Sequence, residues 1–585
     1  MATSLTVARQ PLLCGLLLGL AACGGTQSET PNTHSSARPA AAPMAEQARV
    51  QVEQARQIDS KALARESFAT RPMPVLVAPA APAALADAMT SGYRDVYREQ
   101  YQQLADNPVQ AVADAPVSTF SIDVDTGSYA NVRRLLNDGR LPPAEAVRLE
   151  ELVNYFPYAY PLPQGDALFG DAPFGVSTEL AITPWNPQSR LLRVAIKASD
   201  TTIERLPPAN LVFLVDVSGS MDRREGLPLV QSTLKLLVDQ LRGEDKVSLV
   251  VYAGESRVVL QPTSGTDKAK IHAAIEQLSA GGSTAGESGI KLAYQQAQQG
   301  FIEGGINRIL LATDGDFNVG ISDFETLKQL AADKRKSGVS LTTLGFATDN
   351  YNERLMEQLA DAGDGNYAYI DNLREARKVL VEQLASTLAV VARDVKLQVE
   401  FNPAQVSEYR LLGYENRALK REDFSNDKVD AGEIGAGHVV TALYEIVPVG
   451  AKGWLEPLRY QRAQASASTD SELAWLRIRY KAPQGGASKL LEVPIKAAAV
   501  QPIAESSDDL RFAAAVAAFA QQLKGGQYTG AFDFAETIAL ARTAKGDDRF
   551  GLRAEFIQLA ELAGSLHTST GNTSSASLPT TSKVQ

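Results

Sequence analysis

Five side chains between positions 216 and 314 could share one task. Asp216, Ser218 and Ser220 alternate in "FLVDVSGSMD", Thr284 follows in "GGSTAG", and Asp314 closes "NRILLATDG". At alternate positions the two serine hydroxyls can point the same way. Two carboxylates and three hydroxyls form an all-oxygen donor set, with neither sulfur nor imidazole. Such a set suits Mg²⁺, or Mn²⁺, at about 2.0–2.1 Å in octahedral geometry. The competing reading is structural: Ser218, Ser220 and Thr284 cap helices, and Asp216 and Asp314 merely end strands.

For the five to meet, Asp216 and Asp314 must lie at the carboxyl ends of strands in an open α/β sheet, where ligands bind. The surrounding pattern predicts this. "NLVFLVD" (210–216) and "NRILLATDG" (307–315) are continuous apolar runs, as strands buried on both faces should be. Leu227, Val230, Leu234, Leu237, Val238 and Leu241 recur at helical spacing. "KVSLVVY", "SLTTLGFA" and "NYAYIDN" read as strands; "DKAKIHAAIEQL", "ESGIKLAYQQAQQGF", "DFETLKQLAADKRKSG" and "NERLMEQLADAGDG" read as helices, and "LREARKVLVEQLASTLAV" as a closing helix. Alternating strands and helices predict a mostly parallel, Rossmann-like sheet with helices on both faces, over residues 206–391. Short alternating strands flank it, at 176–205 and 392–505. They predict a β-sandwich into which the α/β domain is inserted. A small N-terminal α/β element (116–175) and a C-terminal helical region (506–566) complete the folded part.

Other chemistry-bearing patterns are weaker. "DVDTGS" (123–128) has the look of an enzyme motif. An aspartic protease needs a second D-T-G, which this chain lacks. A phosphatase-type D-x-D-x-T fails at Gly127, and an EF-hand loop fails at Arg134, where a bidentate acid belongs. The segment reads instead as a strand, a turn, and Thr126 or Ser128 capping a helix. Three S-x-x-K patterns (Ser232/Lys235, Ser288/Lys291, Ser425/Lys428) lack the K-T-G that would complete a penicillin-binding centre. The four histidines are scattered, which argues against zinc or a histidine-based triad.

The formal charge of −11 argues against nucleic acid as a partner and suits cation binding. "MATSLTVARQPLLCGLLLGLAAC" has Arg9, an apolar core from Leu12 to Leu20 too short to span a bilayer, and Leu20-Ala21-Ala22-Cys23. It resembles a bacterial lipobox. Residues 1–22 are then a lipoprotein signal peptide, Cys23 is acylated (a palmitate-type anchor), and no disulfide can form. Gly24 after the cysteine favours the outer membrane, facing the periplasm. Residues 23–115 read as a disordered tether and 567–585 as a disordered tail.

Asp216-x-Ser218-x-Ser220, Thr284 and Asp314 resemble the metal-ion-dependent adhesion site (MIDAS) of a von Willebrand factor A (VWA) domain. All five positions match, in order and on the expected elements, which weighs against the capping reading. The resemblance implies that these residues hold Mg²⁺ and leave a position open for an Asp or Glu of a partner protein, without turnover. The flanks, beginning "STFSIDVDTGSYANVRRLLNDG" and "FNPAQVSEYRLLGYENRALK", resemble those of YfbK-like VWA lipoproteins, so the likeness covers about residues 105–566. The expected function is Mg²⁺-dependent protein binding by a non-enzymatic envelope module. Two alternatives stand beside it: a hydrolase centred on "DVDTGS", and a structural envelope protein whose metal only stabilises the fold.

Overall fold

The computed structural model describes residues 99–163, 172–284, 286–315, 324–347, 351–456, 472–497 and 500–574. The expected signal peptide, Cys23 and the expected tether up to residue 98 lie outside the described residues, as does the expected tail from 575.

The described chain opens with strands β1 (Gln110–Ala111) and β2 (Val117–Ser121) and helices α1 (Gly127–Asn137) and α2 (Leu149–Asn154). A hairpin of β3 (Phe174–Thr183) and β4 (Asn186–Ala198) leads into the α/β domain. There follow β5 (Ala209–Asp216), α3 (Leu227–Gln240), β6 (Lys246–Tyr252), β7 (Ser256–Ser264), α4 (Lys268–Glu276) and α5 (Gly286–Gln299). Then come β8 (Ile306–Thr313), α6 (Phe324–Arg335), β9 (Ser340–Gly345), α7 (Glu353–Ala362) and β10 (Tyr367–Tyr369). The sheet order is β10-β9-β8-β5-β6-β7, parallel throughout except for β7, which returns antiparallel along β6.

β5 is buried along its whole length because its period of two divides it between two helical layers. Leu211, Phe213 and Val215 pack into one core, and Val212 and Leu214 into the other. That division is why the segment reads as an unbroken apolar run. β7 is less legible: "SRVVLQPTS" carries Arg257, Gln261 and Pro262, which an edge strand tolerates and a central one does not.

A closing segment, α8, runs Leu373–Arg377, through a π turn at Lys378–Glu382, to Leu384–Leu388. The pattern predicts one uninterrupted helix here. The structure widens it by a π turn where Lys378 is drawn inward, its amino group 3.2 Å from the Tyr155 ring centroid and 3.6 Å from Glu375.

The sandwich continues with β11 (Val390–Phe401), β12 (Val406–Leu412), β13 (Ile434–Gly435), β14 (Val439–Pro448), β15 (Glu472–Ala482) and β16 (Gly485–Lys496). One sheet has the order β1-β12-β14-β4-β3 and the other β13-β11-β15-β16, with β2 also pairing along β11. The strand of the N-terminal element therefore belongs to the sandwich. Alternation again separates two cores. Leu192, Val194 and Ile196 of β4 face the second sheet, while Leu191 and Ala195 face helices.

Those helices are α1 and α2 with α9 (Asp508–Leu523), α10 (Phe534–Thr543) and α11 (Leu552–Ser574). Ser507 caps α9 by accepting from the Leu510 amide at 3.1 Å, and Asp533 and Glu536 form a capping box on α10. α11 continues to Ser574, past the expected start of the tail at 567. The expected tether is likewise ordered from residue 99. Gln110 and Ala111 pair with Tyr409 and Glu408, and the Asn107 amide donates to the carbonyls of Leu411 and Gly413. These anchors are single polar contacts, which composition does not register.

α8 meets the sandwich at β13. The Ala436 amide donates to the Ala389 carbonyl at 2.8 Å, and a Cβ on Gly435 would collide with the Ser386 carbonyl oxygen, a backbone atom that cannot swing away. Gly435→Ala is expected to destabilise the fold by roughly 1–3 kcal/mol through overpacking. A lower thermal midpoint by circular dichroism checks this; an unchanged midpoint would mean the joint is loose.

Candidate functional site

Asp216 ends β5 and Asp314 follows β8, its neighbour in the sheet, so both stand at the carboxyl edge. Both are buried, as are Ser218 and Thr284, while Ser220 is half-buried. The Ser218 amide donates to Asp216 Oδ1 at 2.9 Å, which turns the chain sharply after the strand. The Ser218 and Ser220 hydroxyl oxygens lie 3.0 Å apart, so both side chains share one side of the loop.

The loop that carries Thr284 is drawn to the serine loop by backbone pairing. The Gly219 amide donates to the Gly282 carbonyl at 3.0 Å, and the Gly281 amide to the Val217 carbonyl at 2.8 Å. Gly282 holds a φ of +93°, a region that favours glycine, and so lets its loop fold back on the serine loop.

The capping reading of the two serines does not hold. Ser218 precedes the short turn Gly219–Met221 but makes no side-chain capping bond, and the Ser220 hydroxyl meets Ser218. The Ser218 hydroxyl also hydrogen-bonds the Asp216 carboxyl, which places it on that carboxylate's side of the loop.

Burial and the nearby charge of Asp314 push the Asp216 carboxyl up to about 7, against hydrogen bonds from Ser218 and Thr313 that lower it. The site thus holds two buried acids close enough that one resists ionising. Among the described residues no group of three or more His, Cys, Asp or Glu side chains gathers to hold a metal. This donor set has only two carboxylates, and its remaining oxygens are hydroxyls.

Two residues escaped the sequence pattern. The Thr313 hydroxyl donates to Asp216 Oδ2 at 2.9 Å and accepts from the Gly315 amide at 3.1 Å. It thereby clamps the ends of β5 and β8 together. Tyr252 pairs with Asp216 across the sheet, and burial together with the Asp216 charge raises its phenol. The only sequence signal for Thr313 was its place beside Asp314; Tyr252 reads as ordinary strand.

The "DVDTGS" segment lies elsewhere. Asp123 and Asp125 are buried and share the Arg417 guanidinium at 3.3 and 3.1 Å. Thr126 and Ser128 do not cap α1 as expected. The Ser128 hydroxyl donates to the Ala146 carbonyl, and it is Glu151 that accepts from the Ser128 amide, at 2.8 Å. The three S-x-x-K serines are exposed. Lys235 and Lys291 pair with Glu276 and Glu287 on the helix surface.

The fold and its carboxyl-edge loops define a protein built on a von Willebrand factor type A domain, and that family matches residues 210–383. Residues 95–193 match the family described as von Willebrand factor, and 386–566 match "Uncharacterized protein YfbK, C-terminal". The chain belongs to the YfbK family. It is 52% identical over 451 residues to "Uncharacterized protein YfbK" of Escherichia coli (strain K12), covering 76% of this chain and 78% of that one. It is 35% identical over 190 residues to "Uncharacterized protein sll0103" of Synechocystis, covering 32% of this chain and 43% of the relative. Among solved structures, a "von Willebrand factor type A from Catenulispora acidiphila" is 17% identical with a TM-score of 0.37, covering 66% of this chain and 91% of that one.

The raised Asp216 carboxyl makes a prediction. Native Asp216 keeps its proton to about pH 7, whereas an unfolded chain loses it near 3.8. Without metal, the native state therefore loses stability as pH rises from about 4 to 7. With chelator present, Asp216→Asn is expected to be more stable than the parent at pH 8, by on the order of 2 kcal/mol, and equal to it near pH 3.5. Urea melts at both pH values decide; equal stability at pH 8 would mean the carboxylate is already compensated.

Proposed function

We propose that this chain is an envelope-anchored protein-binding module whose adhesion site holds Mg²⁺, or Mn²⁺, and recognises a carboxylate on a partner protein. The observation that carries this reading is the gathering of Asp216, Ser218 and Ser220 by direct hydrogen bonds, with the Thr284 and Asp314 loops closed against them. The donors are all oxygen, which fits a hard divalent ion. When bound, the ion would supply an electrophilic open position for an Asp or Glu side chain.

The chain's own residues set that position. Asp216 and Asp314 would hold the ion from the strand ends, and Ser218, Ser220 and Thr284 would add neutral oxygens. Neutral donors leave the ion's charge less cancelled, so a partner carboxylate is attracted more strongly. Thr313 keeps the two strand ends at fixed separation. No step of this scheme consumes a substrate, and the protein is proposed to act without turnover. The hydrolase alternative is not favoured, because a guanidinium occupies the space between Asp123 and Asp125.

Calorimetric titration with Mg²⁺ and Mn²⁺ tests the site. Binding by the parent chain, lost in Asp216→Ala and Thr284→Ala, is expected; binding that survives both changes would place the ion elsewhere. If the metal only stabilises the fold, Asp216→Ala would lower stability yet leave capture of envelope proteins intact.

Outer-membrane attachment through Cys23 belongs to the same proposal and rests on the lipobox-like sequence alone. Cys23→Ser is expected to move the protein from the detergent phase to the aqueous phase on Triton X-114 partition. Retention in the detergent phase would refute lipid anchoring at this residue.

A further inference from the structure

Residues 99–101, the first described after the expected tether, dock between α1 and the start of α7. Two side chains of α1 hold them. Arg134 Nη2 donates to both Glu99 carboxylate oxygens, at 2.9 and 3.0 Å, and these two side chains are only 8% and 14% exposed. The Asn131 side-chain amide donates to the Tyr101 hydroxyl at 2.8 Å, and that hydroxyl donates to Glu99 at 2.7 Å. Between them, Gln100 reaches the α/β domain. Its backbone amide donates to the Tyr351 carbonyl at 2.9 Å, and it pairs with Asn352 in a single parallel bridge.

Asn352 in turn packs against the residue after Asp314. Because α7 follows β9, its first turn lies at the carboxyl edge of the sheet, beside the end of β8. Asn352 caps that turn, accepting from the Leu355 amide at 3.1 Å. Its backbone lies directly on Gly315, where a Cβ would come 3.0 Å from the Asn352 nitrogen. Gly315 holds a φ of +79°, and its amide donates to the Thr313 hydroxyl, the group bonded to Asp216. Tyr351 is buried, with its ring 4.6 Å from that of Tyr369 between centroids, so the carbonyl that meets Gln100 is fixed.

This dock is separable from the next attachment of the chain. Further along, Asn107 and β1 are held by β12, and Asp106 pairs with Lys524 of α9's C-cap. Those contacts fasten the chain to the sandwich and the C-terminal helices. Residues 102–106, between the two attachments, form neither helix nor strand. A few polar contacts hold residues 99–101, against the sheet pairing and core burial that hold the body. They can therefore leave without unfolding it.

We propose that residues 99–101 are a positioning strap for the metal site. Docked, the strap holds Asn352 against Gly315 and so fixes the loop that carries Asp314. Released, it lets that loop move, and, on the adhesion reading above, the ion is held less tightly. The chain before residue 99 leads back to Cys23, so a pull from that side loads this contact before it reaches β1. Residues of this kind touch no ligand; they act on the site by biasing the position of one of its loops.

Hydrogen exchange of the full chain in chelator, followed by calorimetric Mg²⁺ titration, tests this. Gln100→Pro removes the amide that meets Tyr351, whereas Gln100→Ala keeps it. Faster exchange at the Gly315 and Leu355 amides is expected in Gln100→Pro, with Mg²⁺ affinity lowered about threefold or more and exchange in the sandwich strands unchanged. Gln100→Ala is expected to match the parent in all three, a pattern that a general loss of stability would not give. If Gln100→Pro melts early, Glu99→Ala, which frees the strap from Arg134, carries the test in the same direction. Unchanged exchange at Gly315 and Leu355 in a folded variant would overturn the inference, as would an Mg²⁺ affinity equal to that of the parent. A parent that binds no Mg²⁺ would refute the adhesion reading alone, and quickened exchange at Gly315 would then still establish the strap's hold on the loop.

Discussion

One guanidinium holds three distant parts of this chain together. Arg133, on α1, is 1% exposed. It donates to Glu375 at 2.8 Å, Glu555 at 3.1 Å and the Tyr155 hydroxyl at 2.8 Å, and it pairs with Asp371. Asp371 and Glu375 stand at the start of α8, and Glu555 lies on α11. Burying so much charge is tolerable only as a complete set. Removing one partner strands the others, at about 3–5 kcal/mol for a buried pair. Lys378 belongs to the same set, and burial lowers its amino group to about 8. The inserted domain is therefore fastened at its exit by the N-terminal and C-terminal helices as well as by its own strands.

This arrangement explains what could and could not be read from the sequence. Elements ruled by apolar period were legible. β5 and β8 stood out because both faces of each strand are covered, and the sandwich strands because their alternation serves two cores. Asp216 and Asp314 were legible as strand-end residues because each closes a buried apolar run. Elements ruled by individual polar contacts were not. Asn107, which binds two carbonyls of the β12 edge, lies in a stretch whose composition resembles a tether. The π turn in α8 follows from where Lys378 finds Tyr155 and Glu375, a tertiary demand with no local signature. Thr126 and Ser128 have the residue types of caps, yet Glu151 makes the contact from another helix.

The two acidic centres differ in how their charge is arranged. At the carboxyl edge, Asp216 is met by the Ser218 amide and the Thr313 hydroxyl, neutral groups that leave its charge uncancelled. Around Asp123 and Asp125, the carboxylates share the Arg417 guanidinium, so most of the charge is cancelled internally and the remainder is local. The VWA family match and the YfbK relationship bear on the domain that carries the first centre and on the sandwich that forms part of the second.

The insertion has a mechanical consequence. The chain enters the α/β domain from β4 and leaves it into β11, and these two strands belong to opposite sheets of the sandwich. β4 is flanked on both sides, by β3 and β14, and β11 by β15 on one side and by β2 and β13 on the other. Interstrand hydrogen bonds of antiparallel pairs run across the strands. Tension on the α/β domain along these strands would thus load many such bonds in parallel, in both sheets at once. The joint resists by shear, as a lap joint does, where a single linker would let one strand unzip.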